Sequence, residues 1–143
     1  MYKRILAASD GSECAARAVG QAARLAQLCG SQLLVLTVVP QNLFAGTALS
    51  MPVVTDEVLR EVRDAYRKIL EEAVAVAAGE GVAAQGKLAE GSVAATICQT
   101  AEEEGCDLIV VGSRGHGQAY NLLIGSVSSR VSQLAKVPVL INR

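Results

Sequence analysis

The strongest constraint on the fold is the regular alternation of short, almost wholly apolar runs with longer segments of helical periodicity. Apolar runs at residues 3–9, 32–39, 107–112 and 137–142, with a weaker one at 82–88, predict five strands. Four helices are predicted between them. Continuous apolar strands that alternate with helices indicate a parallel sheet covered on both faces, with right-handed crossovers. The predicted fold class is therefore α/β, a doubly wound five-stranded parallel sheet.

Capping residues mark where the predicted helices begin and end. Ser12 and Thr55 are typical N-caps, and Gly30 and Gly105 are typical of helix ends. Residues 41–54 have no clear period and are predicted to form a loop. In the longest helix, apolar residues recur at steps of three and four. Its predicted inward face consists of Val58, Val62, Ala65, Ile69, Ala73 and Val76.

Length, charge and cysteine content exclude several classes of protein. A chain of 143 residues suits one domain, residues 1–143. Its net charge of -1 leaves no broad field to attract nucleic acid or an acidic membrane surface. No apolar run reaches the roughly eighteen residues of a membrane span, and no signal-peptide core opens the chain, so a cytoplasmic location is expected. The four cysteines match no zinc pattern and are interpreted as small buried residues, with a redox role for one of them as the alternative.

Residues 112–128 contain the strongest local indication of a ligand site. Gly112, Gly115 and Gly117 directly follow a predicted strand, where glycines let main-chain N–H groups approach an anion. Gly125 then opens the last predicted helix, and the free N–H groups of a helix N-terminus favour phosphate. The segment therefore predicts a local anion site. Side chains that can add hydrogen bonds to it are Arg114, Ser126 and Ser128.

Three familiar templates do not fit this segment. The Walker P-loop requires Lys and Ser/Thr where Gln118 and Ala119 stand. The Rossmann fingerprint Gly-x-Gly-x-x-Gly has a different glycine order and follows the first strand of its fold. The Gly-x-Ser-x-Gly nucleophile elbow is absent from the sequence. The residues alone thus support an anion nest followed by a helix N-terminus.

One known pattern does fit. The spacing Gly112-x-x-Gly115, nine residues, then Gly125-Ser126 resembles the nucleotide signature of the universal stress protein family. The resemblance extends along the whole chain and implies a flavodoxin-like strand order, 3-2-1-4-5. That order would place the first and fourth strands side by side, so that the loops that follow them line one crevice. The other segments that resemble the family are residues 3–12, 33–39, 106–112 and 137–140.

The same resemblance implies a ligand and residue roles. Family members that keep these glycines bind ATP, with Mg²⁺ as a possible companion of the nucleotide. The resemblance places Asp10 at the nucleotide and the main chain of Val38 at the adenine. It also implies a regulatory stress-response protein that forms a homodimer through its last strand, residues 137–142. The implied nucleotide contacts are Ala8, Ser9, Asp10, Val38, Gly112, Arg114, Gly115, His116, Gly125, Ser126, Val127 and Ser128.

Several alternatives stay open at the level of sequence. Asp10 is either a turn residue or a ligand contact, and Arg114 is either a solvated charge or a phosphate partner. His116, the only histidine, is interpreted as a phosphate or surface contact rather than a metal ligand. A slow ATPase or phosphotransferase at the same site is the alternative function, although no Walker lysine or catalytic residue is assigned. A third hypothesis is an interaction module with an empty site, against which the intact glycines argue. The adenosine end alone does not distinguish ATP from ADP, AMP or a cyclic nucleotide.

Overall fold

A computed structural model of the protein describes residues 1–43, 55–114 and 124–143. In the described residues the five strands are parallel and lie in the order β3-β2-β1-β4-β5. This arrangement confirms the predicted fold class and strand order. The elements are β1 (Arg4–Ala8), α1 (Glu13–Cys29), β2 (Gln32–Pro40), α2 (Asp56–Gly79), β3 (Gln85–Gly91), α3 (Val93–Glu103), β4 (Leu108–Gly112), α4 (Ser126–Leu134) and β5 (Val139–Asn142).

Two aliphatic layers form the core, one on each face of the sheet. Successive strand residues point to opposite faces. Ile5 and Val35 therefore pack under α1 and α2, whereas Leu6 and Leu34 pack under α3 and α4. All four side chains are fully buried. The apolar strand runs that predicted a sheet covered on both faces are thus explained by these two layers.

The weakest predicted strand is displaced by three residues. It was expected at residues 82–88, but β3 spans Gln85–Gly91. Val82 instead helps to close α2, because its N–H donates to the carbonyl of Ala77 at 3.0 Å. The turn itself is made by Gly81, which has a φ of 82°. β3 is an edge strand without a fully buried residue, so its apolar pattern is weak.

The inward face of α2 matches the predicted one only in part, since Ala73 is buried as predicted but other predicted residues are not. Leu70, Ala73 and Ala77 are its buried residues, whereas Val58 and Ala65 are exposed. Tyr66 and Leu70, each one position after a residue of the predicted face, belong to the observed inward face. Although α2 has 24 residues, neither it nor any other helix in the described ranges is both long and apolar enough to cross a bilayer.

Candidate functional site

A cavity of about 250 Å³ lies beyond the carboxyl ends of the central strands. β1 and β4 are neighbours in the sheet, so the segments that follow them meet at this edge, as the predicted strand order requires. Each of the four helices also contributes a wall residue. These are Ala15 from α1, Tyr66 from α2, Ile97 from α3 and Val127 from α4.

The structure brings most of the predicted site residues to this cavity. Ser126 is the exception among the described ones. It lines a neighbouring depression of about 290 Å³, together with Ser92 and Arg130. Gly115 and His116 lie outside the described residues. The predicted residues that line the cavity are Ala8, Ser9, Asp10, Val38, Gly112, Arg114, Gly125, Val127 and Ser128.

The turn after β1 holds Asp10 at the cavity wall. Its Oδ1 accepts the Ser12 N–H at 2.9 Å, and the Gly11 N–H donates to Ser9 Oγ at 3.2 Å. The Ser12 hydroxyl in turn caps α1 by accepting the N–H of Ala15. Asp10 is therefore part of the turn, and it also lines the cavity.

The end of β2 presents main-chain groups to the cavity. Pairing of β1 with β2 ends at Ala8 and Leu36, whereas β2 continues to Pro40 along β3. The Leu36 carbonyl accepts the Ser9 N–H at 2.9 Å, so it points to the β1 side. In a parallel sheet, every second residue points its N–H and C=O to the same side. The N–H and C=O of Val38 therefore face the side on which β1 has already ended.

The N-terminus of α4 carries three main-chain donors without a partner inside the helix. The first intrahelical bond runs from the Ser129 N–H to the carbonyl of Gly125 at 3.0 Å, and the N–H groups of Ser126, Val127 and Ser128 precede it. No side chain of the described residues caps this helix, whereas α1 and α2 have side-chain caps. The result is a helix end suited to an anion.

Ser128 and Gly112 hold the end of β4 against the helices. The buried Ser128 hydroxyl donates to the carbonyls of Gly112 and Ser113 at 2.8 and 3.1 Å. Its single hydrogen is thus already used, and the main-chain N–H of Ser128 is its remaining donor. A Cβ on Gly112 would lie 3.0 Å from the carbonyl carbon of Cys14, so this glycine allows close packing of β4 against α1.

The Cys14 thiol lies directly beneath this segment. Its Sγ is 3.5 Å from Ser113 Oγ and from the Asn142 carbonyl. Burial opposes ionisation, but hydrogen bonds with the Ser113 hydroxyl and with the main chain of Ser113 and Arg114 lower the pKa of Cys14 below its usual value. Burial instead raises the pKa of Cys98 and Cys106. None of the four cysteines forms a disulfide; Cys14 and Cys106 are buried, and the other two are half-buried.

Sequence reasoning missed several wall residues because their roles depend on packing between elements. Tyr66 was omitted from the predicted inward face of α2, yet it lies four residues before the buried Leu70. Aromatic residues make up only 3% of the chain, so a tyrosine four residues before a buried leucine could have indicated that it lies on the inward face. The other missed wall residues are Ala15, Leu36, Pro40, Val93, Ile97 and Val111.

The chain is similar in sequence and in fold to universal stress proteins. The profile of the universal stress protein family matches residues 1–143. Universal stress protein YxiE of Bacillus subtilis is 39% identical over 148 residues, with both chains covered completely. A crystal structure of a universal stress protein in complex with cAMP is 26% identical, with a TM-score of 0.75 and coverage of 99% of this chain and 97% of that one. The universal stress protein from Archaeoglobus fulgidus in complex with dAMP is 25% identical, with a TM-score of 0.68 and coverage of 99% and 98%.

Proposed function

This chain belongs to the universal stress protein family, and on that basis we propose that it binds an adenine nucleotide, ATP, in the cavity beyond β1, β2 and β4. The observation that carries the proposal is the placement of two sets of main-chain groups around one apolar cavity. Val38 stands near the end of β2, and the N-terminus of α4, which no side chain of the described residues caps, follows β4. Because β1 lies between β2 and β4, these sets are about two strand spacings, or roughly 10 Å, apart. Such a site suits a ligand with an apolar ring at one end and phosphates at the other.

The base is proposed to occupy the β2 side of the cavity. Leu36, Val38, Val93 and Ile97 supply an apolar slot there. The Val38 N–H can donate to a ring nitrogen of adenine, and its C=O can accept from the exocyclic amine. A base that offers a donor and an acceptor side by side would therefore be read by the main chain.

The phosphates are proposed to lie at the N-terminus of α4. The three N–H groups that precede the first intrahelical bond of α4, together with the helix dipole, favour negative charge there. The guanidinium of Arg114, which lines the cavity, is the proposed charged partner. Asp10 is the carboxylate that lines the same cavity, and a Mg²⁺ ion bound mainly by phosphate oxygens would have it as a nearby ligand.

The relatives support an adenine nucleotide, since one structural neighbour is a cAMP complex and another a dAMP complex. We further propose a regulatory role in the stress response, exerted as a homodimer. β5 is an edge strand of the sheet, and a second copy can pair with such an edge. Sedimentation at micromolar concentration tests this point, and a monomer with and without ATP would contradict it.

Isothermal titration of the ligand-free protein tests the binding proposal. ATP, ADP, AMP and cAMP are titrated separately, with GTP and CTP as base controls. Heat of binding and thermal stabilisation by adenine nucleotides are expected. If none of the four adenine nucleotides produces heat or raises the melting temperature, the proposed function is wrong.

A matched pair of substitutions at Ser126 tests the phosphate end. Ser126→Pro removes one of these N–H groups at the first position of α4, where proline is compatible with a helix, and Gly125 before it is already extended. Ser126→Ala keeps that N–H. Loss of one charge-assisted hydrogen bond corresponds to about a tenfold or larger rise in the Kd for ATP in the proline variant alone. Equal affinities in the two variants would show that this N–H does not contact the phosphates.

A further inference from the structure

Tyr66 stands apart from the other walls of the cavity. It lies on α2, whereas the apolar slot on the opposite face of the sheet is built by β2 and α3 side chains such as Val38, Val93 and Ile97. Tyr66 is half-buried. Of the described aromatic residues, Tyr2 and Tyr66, only Tyr66 lines the cavity. The remaining described walls are aliphatic or polar and offer no aromatic face.

Packing of α2 fixes Tyr66 at this place. Ile69, three residues later, lies over the turn after β1, where a Cβ on Gly11 would be only 3.2 Å from Ile69 Cγ1. Leu70, four residues after Tyr66, is buried in the core. Residues three and four apart share one face of a helix, so these two contacts direct Tyr66 toward the cavity. Packing of α2 therefore fixes the position of the Tyr66 ring at the cavity.

We infer that Tyr66 is a specificity-determining residue whose ring packs against the base of the bound nucleotide and closes the base slot from the α2 side. The inference rests on the proposed function, and it adds Tyr66 as a contact of the base and a preference for ligands that carry a base. Aromatic side chains stack on nucleobases, and their removal weakens binding markedly. A base held between the aliphatic slot and this ring would bind far better than a ligand that has phosphates but no base.

Titration calorimetry on three variants of the full chain tests the inference. Tyr66→Leu removes the ring, Tyr66→Phe keeps it, and Tyr2→Leu is the matched control at the other described tyrosine. Each variant is titrated with ATP and with inorganic tripolyphosphate. We expect Tyr66→Leu to raise the Kd for ATP by about tenfold and to leave the Kd for tripolyphosphate unchanged. Tyr66→Phe and Tyr2→Leu are expected to bind both ligands like the parent.

The outcomes separate the inference from the function on which it rests. If the parent binds ATP and Tyr66→Leu binds it equally well, the inference alone is wrong. If Tyr66→Leu weakens ATP and tripolyphosphate by the same factor, the ring has a merely structural role and the inference is also wrong. If the parent binds no adenine nucleotide, both the function and the inference fall.

A measurement on the unsubstituted protein covers the case in which Tyr66→Leu does not fold. Isotope-filtered NOE spectra of the ATP complex should contain contacts between the Tyr66 ring protons and adenine H2 or H8, assigned by their loss in Tyr66→Phe. An ATP complex without such contacts would overturn the inference.

Discussion

Replacing Gly112 with alanine is expected to destabilise the ligand-free protein, because the added methyl group would overlap with the first turn of α1. The new Cβ would lie 3.0 Å from the carbonyl carbon of Cys14 and 3.1 Å from its oxygen and its Sγ. Ordinary contacts between carbon atoms are about 3.5–4.0 Å. Two of the three atoms are helix main chain and cannot rotate away, so β4 or α1 must move by several tenths of an ångström. Overpacking of this kind typically costs about 1–3 kcal/mol, which the lower entropy of the unfolded alanine chain offsets by about 0.4–1 kcal/mol.

The difference between the midpoints of these two ranges, a net loss of about 1.3 kcal/mol, is measurable by urea unfolding followed by circular dichroism. For a chain of this size it corresponds to a fall in melting temperature of about 3–5 °C. Gly79→Ala is the matched control, because its Cβ would meet no atom within 4 Å and its φ is not positive. That variant should be as stable as the parent or slightly more stable. Adding Cys14→Ala to Gly112→Ala removes the Sγ contact but not the carbonyl contacts, so only partial recovery is expected. An unfolding midpoint of Gly112→Ala equal to that of the parent would refute the reasoning.

Three further substitutions test other parts of the structure. Ser128→Ala removes the buried hydroxyl that donates to the end of β4, and urea unfolding should show a free energy of unfolding lower by about 1–2 kcal/mol. The control, Ser129→Ala at an exposed position, should lower it by less than about 0.5 kcal/mol. Similar losses in the two variants would contradict this role of Ser128. Asp107 accepts main-chain N–H groups, including that of Lys3 at 2.9 Å, and these bonds lower the pKa of its carboxyl group. The ionised carboxylate therefore stabilises the folded state fully above about pH 4, and this stabilisation is lost as the pH falls through the lowered pKa. Asp107→Asn should therefore be less stable than the parent at pH 7, and a stability difference that stays constant down to pH 2 would contradict the assignment. Gly11→Ala should melt at a lower temperature, because the residue has a φ of 85° and its Cβ would meet an isoleucine of α2 at 3.2 Å; an unchanged melting curve would show that this turn adapts.

Most of the fold was predictable because its strands are buried on both faces. β1, β2 and β4 lie in the middle of the sheet, and their apolar runs stand out from the helices around them. The observed β3 begins three residues later than predicted, because an edge strand without a fully buried residue has little apolar pattern. The face of α2 was partly wrong because a long helix with many alanines has several possible apolar stripes, and contact with the sheet selects one of them.

The candidate site was predictable in its polar and glycine-rich parts but only partly in its apolar walls. Residues next to strand ends, such as Asp10 and Arg114, follow from chain position once the strand order is known. Tyr66 and Ile97 come from helices that cross the sheet at angles that local sequence does not encode. The orientation of the Val38 main chain also depends on where β1 stops relative to β2, which is a property of register.

The glycines of residues 112–128 support a ligand site less directly than their spacing suggests. Neither Gly112 nor Gly125, the two glycines of this segment that the structure describes, has a positive φ. Gly112 is required for the close approach of β4 to α1, and Gly125 is an extended residue that begins α4 without a side-chain cap. Their shared consequence is geometric, since they bring a strand end and an open helix N-terminus to one wall of the cavity. Nucleotide binding is therefore better supported by the N–H groups of α4 and the main chain of Val38 than by the glycine pattern itself. A protein with the same glycines but a side-chain cap on α4, or a longer β1 that covers Val38, would keep the fold and is expected to lack the proposed nucleotide binding.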